Sequence, residues 1–227
     1  MKVLAFNGSP RKQWNTATLL RKTLEGAASQ GAETELVHLY DLSYTGCKSC
    51  FACKTRDGKG YGRCAAQDDL TPVLRKAEGA DAIILGSPIY FGTVSGMTKS
   101  FMERLTFPYL AYTDPPQSLF PRKIRTAVIY TMNVGEAQMK EYGYGAHIGL
   151  NERVLRTVFG ASEWLCSCDT YQFEDYSKMV APRFDAEKKA KRHAEIFPED
   201  CQKAFALGAG IALPRMTSCR EGAKRDG

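Results

Sequence analysis

Apolar positions in this chain fall into short continuous runs, separated by stretches where they recur every three or four residues. Residues 3–6 are such a run. They lead through 7–18 into a helical pattern with Leu19, Leu20, Leu24, Ala27 and Ala28 on one face. Residues 33–39 read as a half-buried second strand. Asp68 and Asp69 open a helix through Val73, Leu74 and Ala77, with Pro72 tolerated in its first turn. Residues 82–86 are apolar on both faces, as a central parallel strand is. A loop at 87–94 then precedes a helix carrying Met97, Phe101, Met102 and Leu105. Residues 126–131 give a fourth strand, 150–159 a helix with Val154, Leu155 and Val158 on one side, and 163–166 a fifth strand. The last helical region spans 185–213, with Glu187 and Lys191 as an i,i+4 pair. Pro198 there either kinks the helix or starts a second one.

Alternating strands and helices predict an α/β fold: a doubly wound parallel sheet with helices on both faces, joined by right-handed crossovers. Five strands with a Gly/Ser/Pro turn after the first fit the flavodoxin-like order 2-1-3-4-5. A ligand then sits outside the carboxyl ends of strands one, three and four, where the loops are 8–16, 87–95 and 132–146. Residues 107–122 and 136–149 are long for simple connections, and 142–146 reads as a Gly/Tyr-rich loop. The ordered region is expected to cover 1–213, with a cysteine loop inserted at 46–66 and a mobile basic tail at 214–227.

The first loop has the makings of a phosphate cup. A helix N-terminus offers unpaired N–H groups and a positive dipole end. Asn15 suits the N-cap, Ser9, Thr16 and Thr18 supply hydroxyls, and Arg11 and Lys12 add charge. Neither a Walker string nor Gly-x-Gly-x-x-Gly follows the first strand, which points to a metal-free phosphomonoester. An ordinary capped turn explains this stretch equally well, so a second site must decide. Residues 88–95 supply it, with Tyr90, Phe91 and Gly92 leaving a central strand at the predicted ligand edge. Aromatic rings there flank a flat ring system, Gly92 lets backbone approach it, and the helix starting near Ser95 aims N–H groups at developing negative charge.

Composition narrows the class. The 227 residues are enough for a full core, 44% of them hydrophobic, and no run approaches a membrane span. The chain starts directly in a strand, so a cytoplasmic protein is expected. Its net charge of +6 has no aromatic–basic interleaving that would argue for nucleic acid. The eight cysteines carry more information. In a reducing compartment, clustered thiols indicate metal or redox work. Cys47, Cys50 and Cys53 have the Cys-x2-Cys-x2-Cys spacing that wraps three corners of a four-iron, four-sulfur (4Fe–4S) cluster, and Cys64 is the obvious fourth ligand. Gly58, Gly60 and Gly62 make the intervening loop pliable. Free or redox-active thiols, structural zinc and a disulfide remain as alternatives. Cys166 and Cys168 are expected on opposite faces of a strand, Cys201 in a helix and Cys219 in the tail. His38 reads as packed or exposed on an edge strand, His193 as part of a charged helix face, and His147 as a loop residue near the ligand.

Residues 8–12 with Asn15 and Thr16, together with 86–92, resemble the flavodoxin-fold NAD(P)H-dependent FMN reductase family. The cysteine cluster followed by Asp68 and Asp69 is similar to its iron–sulfur flavoprotein branch. The likeness spans roughly 1–170. It implies that Ser9, Arg11, Asn15, Thr16 and Ala17 hold the FMN phosphate, with Lys12 beside them. It also implies that Pro88, Ile89, Tyr90, Phe91 and Gly92 line the isoalloxazine, with Asn133 near its far edge. The expected activity is electron transfer from NAD(P)H or a reduced protein donor, through FMN and a cluster at Cys47, Cys50, Cys53 and Cys64, to a quinone, flavin or protein acceptor. Flavin supplies that chemistry, so no acid, base or nucleophile is singled out. A non-enzymatic electron carrier and a thiol-based metal-binding or redox-sensing module are the alternatives. Because one such domain leaves the flavin ring half exposed, a homodimer or homotetramer is expected, meeting through 107–122 and 136–149.

Overall fold

The computed structural model describes residues 1–56 and 60–213. The expected basic tail, with Cys219, and Gly58 of the cysteine loop lie outside these residues. The strands are β1 (Lys2–Asn7), β2 (Glu33–His38), β3 (Ala82–Tyr90), β4 (Thr93–Val94), β5 (Leu110–Ala111), β6 (Gln117–Ser118), β7 (Ile124–Thr131) and β8 (Gly160–Ser167). The helices are α1 (Asn15–Ser29), α2 (Leu70–Glu78), α3 (Gly96–Thr106), α4 (Glu136–Glu141), α5 (Tyr144–Phe159), α6 (Ala186–Glu195) and α7 (Phe197–Ala212). The main sheet has the order β2-β1-β3-β7-β8 with every neighbour parallel. That is the doubly wound order the sequence predicts.

Strand alternation splits the core in two. Val3, Ala5, Ala82, Ile84, Ala127 and Ile129 face α1 and α7, meeting Leu19, Leu20, Ala204 and Ile211. Leu4, Phe6, Ile83, Leu85, Val128 and Tyr130 face the other way, onto Leu70 of α2, Phe101 and Leu105 of α3 and Leu155 of α5. Central strands buried on both sides read as continuous apolar runs for this reason.

Several boundaries differ from expectation. Trp14, not Asn15, precedes α1, and Asn15 is its first residue. Its amide instead donates to the Tyr171 carbonyl at 2.8 Å. Strand β3 continues through Ser87 to Tyr90 and folds back as β4, because Ile89 pairs with Val94 and Tyr90 with Thr93. The connection at 107–122 contains the small β5–β6 ribbon. Residues 136–149 are two helices rather than a loop: only Gly143 needs the left-handed backbone (φ +70°), and α5 starts immediately after it. His147 is therefore helical. Pro198 lies in the first turn of a separate helix, α7. Cys166 and Cys168 both pack against the Leu4–Phe101 core, since residues two apart on extended chain share a face. His193 lies on the exposed face of α6 as expected, and its ring also stacks between Tyr171 and Phe197 at 5.1 and 5.2 Å.

Candidate functional site

The carboxyl ends of β1, β3, β7 and β8 converge on one cavity of about 160 Å³. The first loop leaves β1 through a tight turn. The Asn7 side chain accepts from the Ser9 N–H (3.1 Å) and donates to the Ser9 carbonyl, while the Ser9 hydroxyl accepts from the Arg11 N–H at 3.1 Å. This turn is fixed to the next loop: the Ser95 hydroxyl donates to the Gly8 carbonyl (2.6 Å) and accepts from the Thr98 N–H, as the N-cap of α3. A Cβ on Gly8 would run into the Thr98 hydroxyl, so the join requires glycine. At the bottom of the cavity the Thr16 and Thr131 hydroxyls share a 2.7 Å hydrogen bond, both side chains being buried.

Of the residues singled out for the cup, Ser9, Arg11, Asn15 and Thr16 line this cavity. Lys12 points away and pairs with Asp41 at 2.6 Å, and Ala17 is fully buried in the core beneath. Pro88, Ile89 and Tyr90 line the same cavity from β3, and Asn133 lines it from beyond β7. Phe91 and Gly92 form the positive-φ turn above it, with Phe91 fully exposed and Gly92 against the Tyr144 ring.

The sequence did not reveal the fourth wall. Thr170, Tyr171 and Gln172, just past β8, close the cavity together with Thr131. The Tyr171 carbonyl accepts from the Trp14 indole (3.0 Å) and from Asn15, and the Gln172 carbonyl accepts from the Arg11 guanidinium. The Asn133 amide donates to the Gln172 side chain at 2.6 Å. Beneath lies Lys189 of α6, only 5% exposed, donating to the Asn133 carbonyl (3.1 Å) and side-chain oxygen and to Asp169. A lone lysine in a charged helix such as α6 carries no local signal of this role. The position of β8 beside β7 was the available clue, since its carboxyl end opens onto the same edge. His147 stands apart from the cavity: Nε2 accepts from the Val94 N–H at 3.2 Å, and burial pulls the imidazole below its usual value.

A second cavity, of about 460 Å³, is lined by all four loop cysteines, Cys47, Cys50, Cys53 and Cys64. The loop holding them is anchored at its start and near its middle. Lys54 donates to the carbonyls of Phe107 (2.6 Å) and Pro108, and Glu103 accepts from the Cys47 N–H at 3.1 Å. Burial pushes the Cys53 thiol up. Arg104, 3% exposed, forks onto both carboxylate oxygens of Asp68 and holds that carboxyl below its usual range. Among the described residues no three His, Cys, Asp or Glu side chains converge tightly enough to hold one metal ion. A tetrahedral zinc would need its sulfurs only about 3.8 Å apart, from a Zn–S bond of about 2.3 Å. A 4Fe–4S cluster takes one thiolate per iron corner, so four thiols lining one cavity suit it by donor type and number.

No helix among the described residues is long and apolar enough to cross a membrane. An iron-sulfur flavoprotein of Methanocaldococcus jannaschii is 43% identical to this chain over 104 residues, covering 46% of this chain and 51% of that protein. One from Archaeoglobus fulgidus is 43% identical over the same length, covering 48% of its own chain. The matched part thus spans about half the length of these curated relatives. Among solved structures, an NAD(P)H:quinone oxidoreductase from Methanothermobacter marburgensis superposes with TM-score 0.67 at 14% identity, covering 93% of this chain and 98% of that one. An FMN-dependent NADH-azoreductase from Bacillus anthracis, solved with FMN, superposes with TM-score 0.63 at 12% identity, covering 94% and 100%. At such identities these two structures establish a common fold. Residues 1–144, which include the turn after β1, the β3–β4 edge and the cysteine loop, match the NADPH-dependent FMN reductase family, and the chain belongs to it.

Proposed function

We propose that this protein is an FMN-dependent oxidoreductase that draws electrons from NAD(P)H or a reduced protein donor and passes them on to a quinone, flavin or protein acceptor. The observation that carries it is the convergence of Ser9, Arg11, Asn15 and Thr16 with Pro88, Ile89, Tyr90 and Asn133 on one cavity at the carboxyl edge of the sheet. FMN, when bound, supplies the change between two-electron and one-electron chemistry, and the protein supplies binding, orientation and electrostatics.

The N-terminus of α1, with the Ser9 and Thr16 hydroxyls and the Arg11 guanidinium, would hold the phosphate dianion. A cavity of about 160 Å³ suits that end of the cofactor, whereas whole small-molecule sites are typically about 300 Å³ or larger. The flat ring would then extend toward the mouth, where the half-exposed Tyr90 and the Phe91 turn stand. A second copy of the chain would cover its open face, in a homodimer or homotetramer.

Cys47, Cys50, Cys53 and Cys64 would hold a 4Fe–4S cluster, which supplies one-electron transfer. The two cavities flank α3, an 11-residue helix about 16 Å long: its Ser95 cap braces the first turn, and Glu103 and Arg104 near its other end line the cysteine cavity. One rigid element therefore fixes the spacing between them. Anaerobically purified protein is expected to show flavin absorption, with FMN, iron and acid-labile sulfide near stoichiometric, and to oxidise NAD(P)H steadily with a quinone or flavin acceptor. Flavin without iron would remove the cluster. Flavin and iron without NAD(P)H turnover would favour an electron carrier, and absence of flavin would overturn the reading.

A further inference from the structure

The cysteine cavity contains one group that its ligand pattern does not require. Arg104 is almost wholly buried on α3 and spends every arm of its guanidinium on the loop. Nη1 and Nη2 fork onto Asp68 at 2.6 and 3.0 Å, just beyond the last of the four cysteines. Nη1 also donates to the Thr45 carbonyl (3.1 Å), just ahead of the first cysteine. Nε–H is left pointing into the cavity, and it donates to the Cys64 sulfur at 3.1 Å. Among the described residues, no other cysteine of the four accepts a hydrogen bond at sulfur from a side chain. The arrangement is asymmetric, built around the cysteine most distant in sequence from the other three.

From this geometry we infer that Arg104 is a positioning residue that seats Cys64 as the fourth thiolate and raises the reduction potential of a cluster held there. The inference rests on the cluster reading above. Two physical effects act together. The planar fork ties the two ends of the cysteine loop to one point on a rigid helix, so the Cys64 sulfur is placed before any metal arrives. The Nε–H then lies on a sulfur that carries part of the cluster's negative charge. A hydrogen bond from a cation stabilises the more negative, reduced form, and in a buried site the effect is weakly screened. Lysine cannot reproduce it, because an ammonium has no rigid fork to hold Asp68 and Cys64 in fixed relative positions.

The test uses the anaerobically reconstituted holoprotein and the Arg104→Lys and Arg104→Gln variants, with FMN, iron and sulfide measured on each and both redox couples titrated spectroscopically. The cluster midpoint is expected to fall in each variant that holds full iron, while the FMN midpoint stays at the wild-type value. A general loosening of the fold would move both couples. Loss of iron and sulfide at full FMN content and unchanged melting temperature would equally support the seating role. Full iron with an unchanged cluster midpoint in both variants would overturn this inference alone. Wild-type protein that carries FMN but takes up no iron would overturn the cluster reading and this inference with it.

Discussion

Lys189 shows how much of the site depends on a single buried charge. It bridges Asn133 at the carboxyl end of β7 to Asp169 after β8, and Asn133 in turn holds Gln172 on the cavity wall. Replacing it with methionine keeps the buried stem but leaves oxygens of Asn133 and Asp169 without their cation. One lost charge-assisted hydrogen bond is worth about 1.5–3 kcal/mol, which is about ten- to a hundredfold in affinity. Lys189→Met is accordingly expected to weaken FMN binding by about that factor with little change in iron content, measured by fluorescence quenching of titrated flavin. The histidines act through pH. Partial burial lowers His38, His147 and His193 from their usual 6.5, which favours the neutral form in the folded chain. The unfolded chain then binds more protons below pH 6.5, and the stability present above that value is lost as pH falls toward the folded values. Asp68 and Glu103 are shifted down instead, and their contribution is lost only below about pH 4. Thermal melts are expected to drop first as pH falls below about 6.5, less steeply in His147→Gln, and again in stronger acid.

At the scale of elements, the long apolar runs were legible because β1, β3 and β7 are buried on both faces, and continuous hydrophobicity is their signature. That the turn after β1 and the stretch 88–92 border one cavity was legible because the doubly wound strand order puts both at the same carboxyl edge. Helix α4 and the start of α5 were not, since Tyr142, Gly143, Tyr144 and Gly145 resemble a loop while only Gly143 breaks the helix. The wall at 170–172 was hidden for another reason: it is irregular chain held by its own carbonyls, and backbone acceptors leave no trace in sequence. The packing of α1 on α7 was equally silent. Gly26 and Gly208 let these helices touch backbone to backbone, for a Cβ on Gly208 would strike the Thr23 carbonyl and one on Gly26 the Phe205 carbonyl. Gly208→Ala must force the helices apart, and overpacking of this kind costs about 1–3 kcal/mol. Because α1 carries the cup at its N-terminus, the same substitution is expected to weaken FMN binding. A lower urea midpoint together with a raised FMN dissociation constant would confirm the coupling; a lower midpoint with unchanged affinity would show that the cup is held by β1 and α3 alone.

At the scale of the whole molecule, the described residues leave the cavity mouth open. Phe91 is fully exposed at φ +50°, a conformation that costs a non-glycine residue energy and persists where surroundings hold it. Here the holding comes from below, through Gly92 on Tyr144 and the β3–β4 pairing, while none of the described residues covers Phe91 from above. A large aromatic side chain presented this way on the rim of a site has a purpose if a flat ring or another chain rests against it. The start of α5 lies alongside, with Tyr144 against Gly92 and exposed Tyr142 beside it, whereas the ribbon at 107–122, expected near the mouth, packs on Lys54 at the far end of α3. Burying such a rim between two copies would exclude water from the face of the bound flavin. Light scattering is therefore expected to give a mass of two or four chains at working concentration. Phe91→Ser is expected to shift that mass toward one chain, or to keep the assembly and accelerate flavin loss on dilution. A strictly monomeric wild type would remove the second copy from the site and leave the flavin ring open to solvent, a geometry suited to an electron carrier that docks its partners directly on Tyr90 and Phe91.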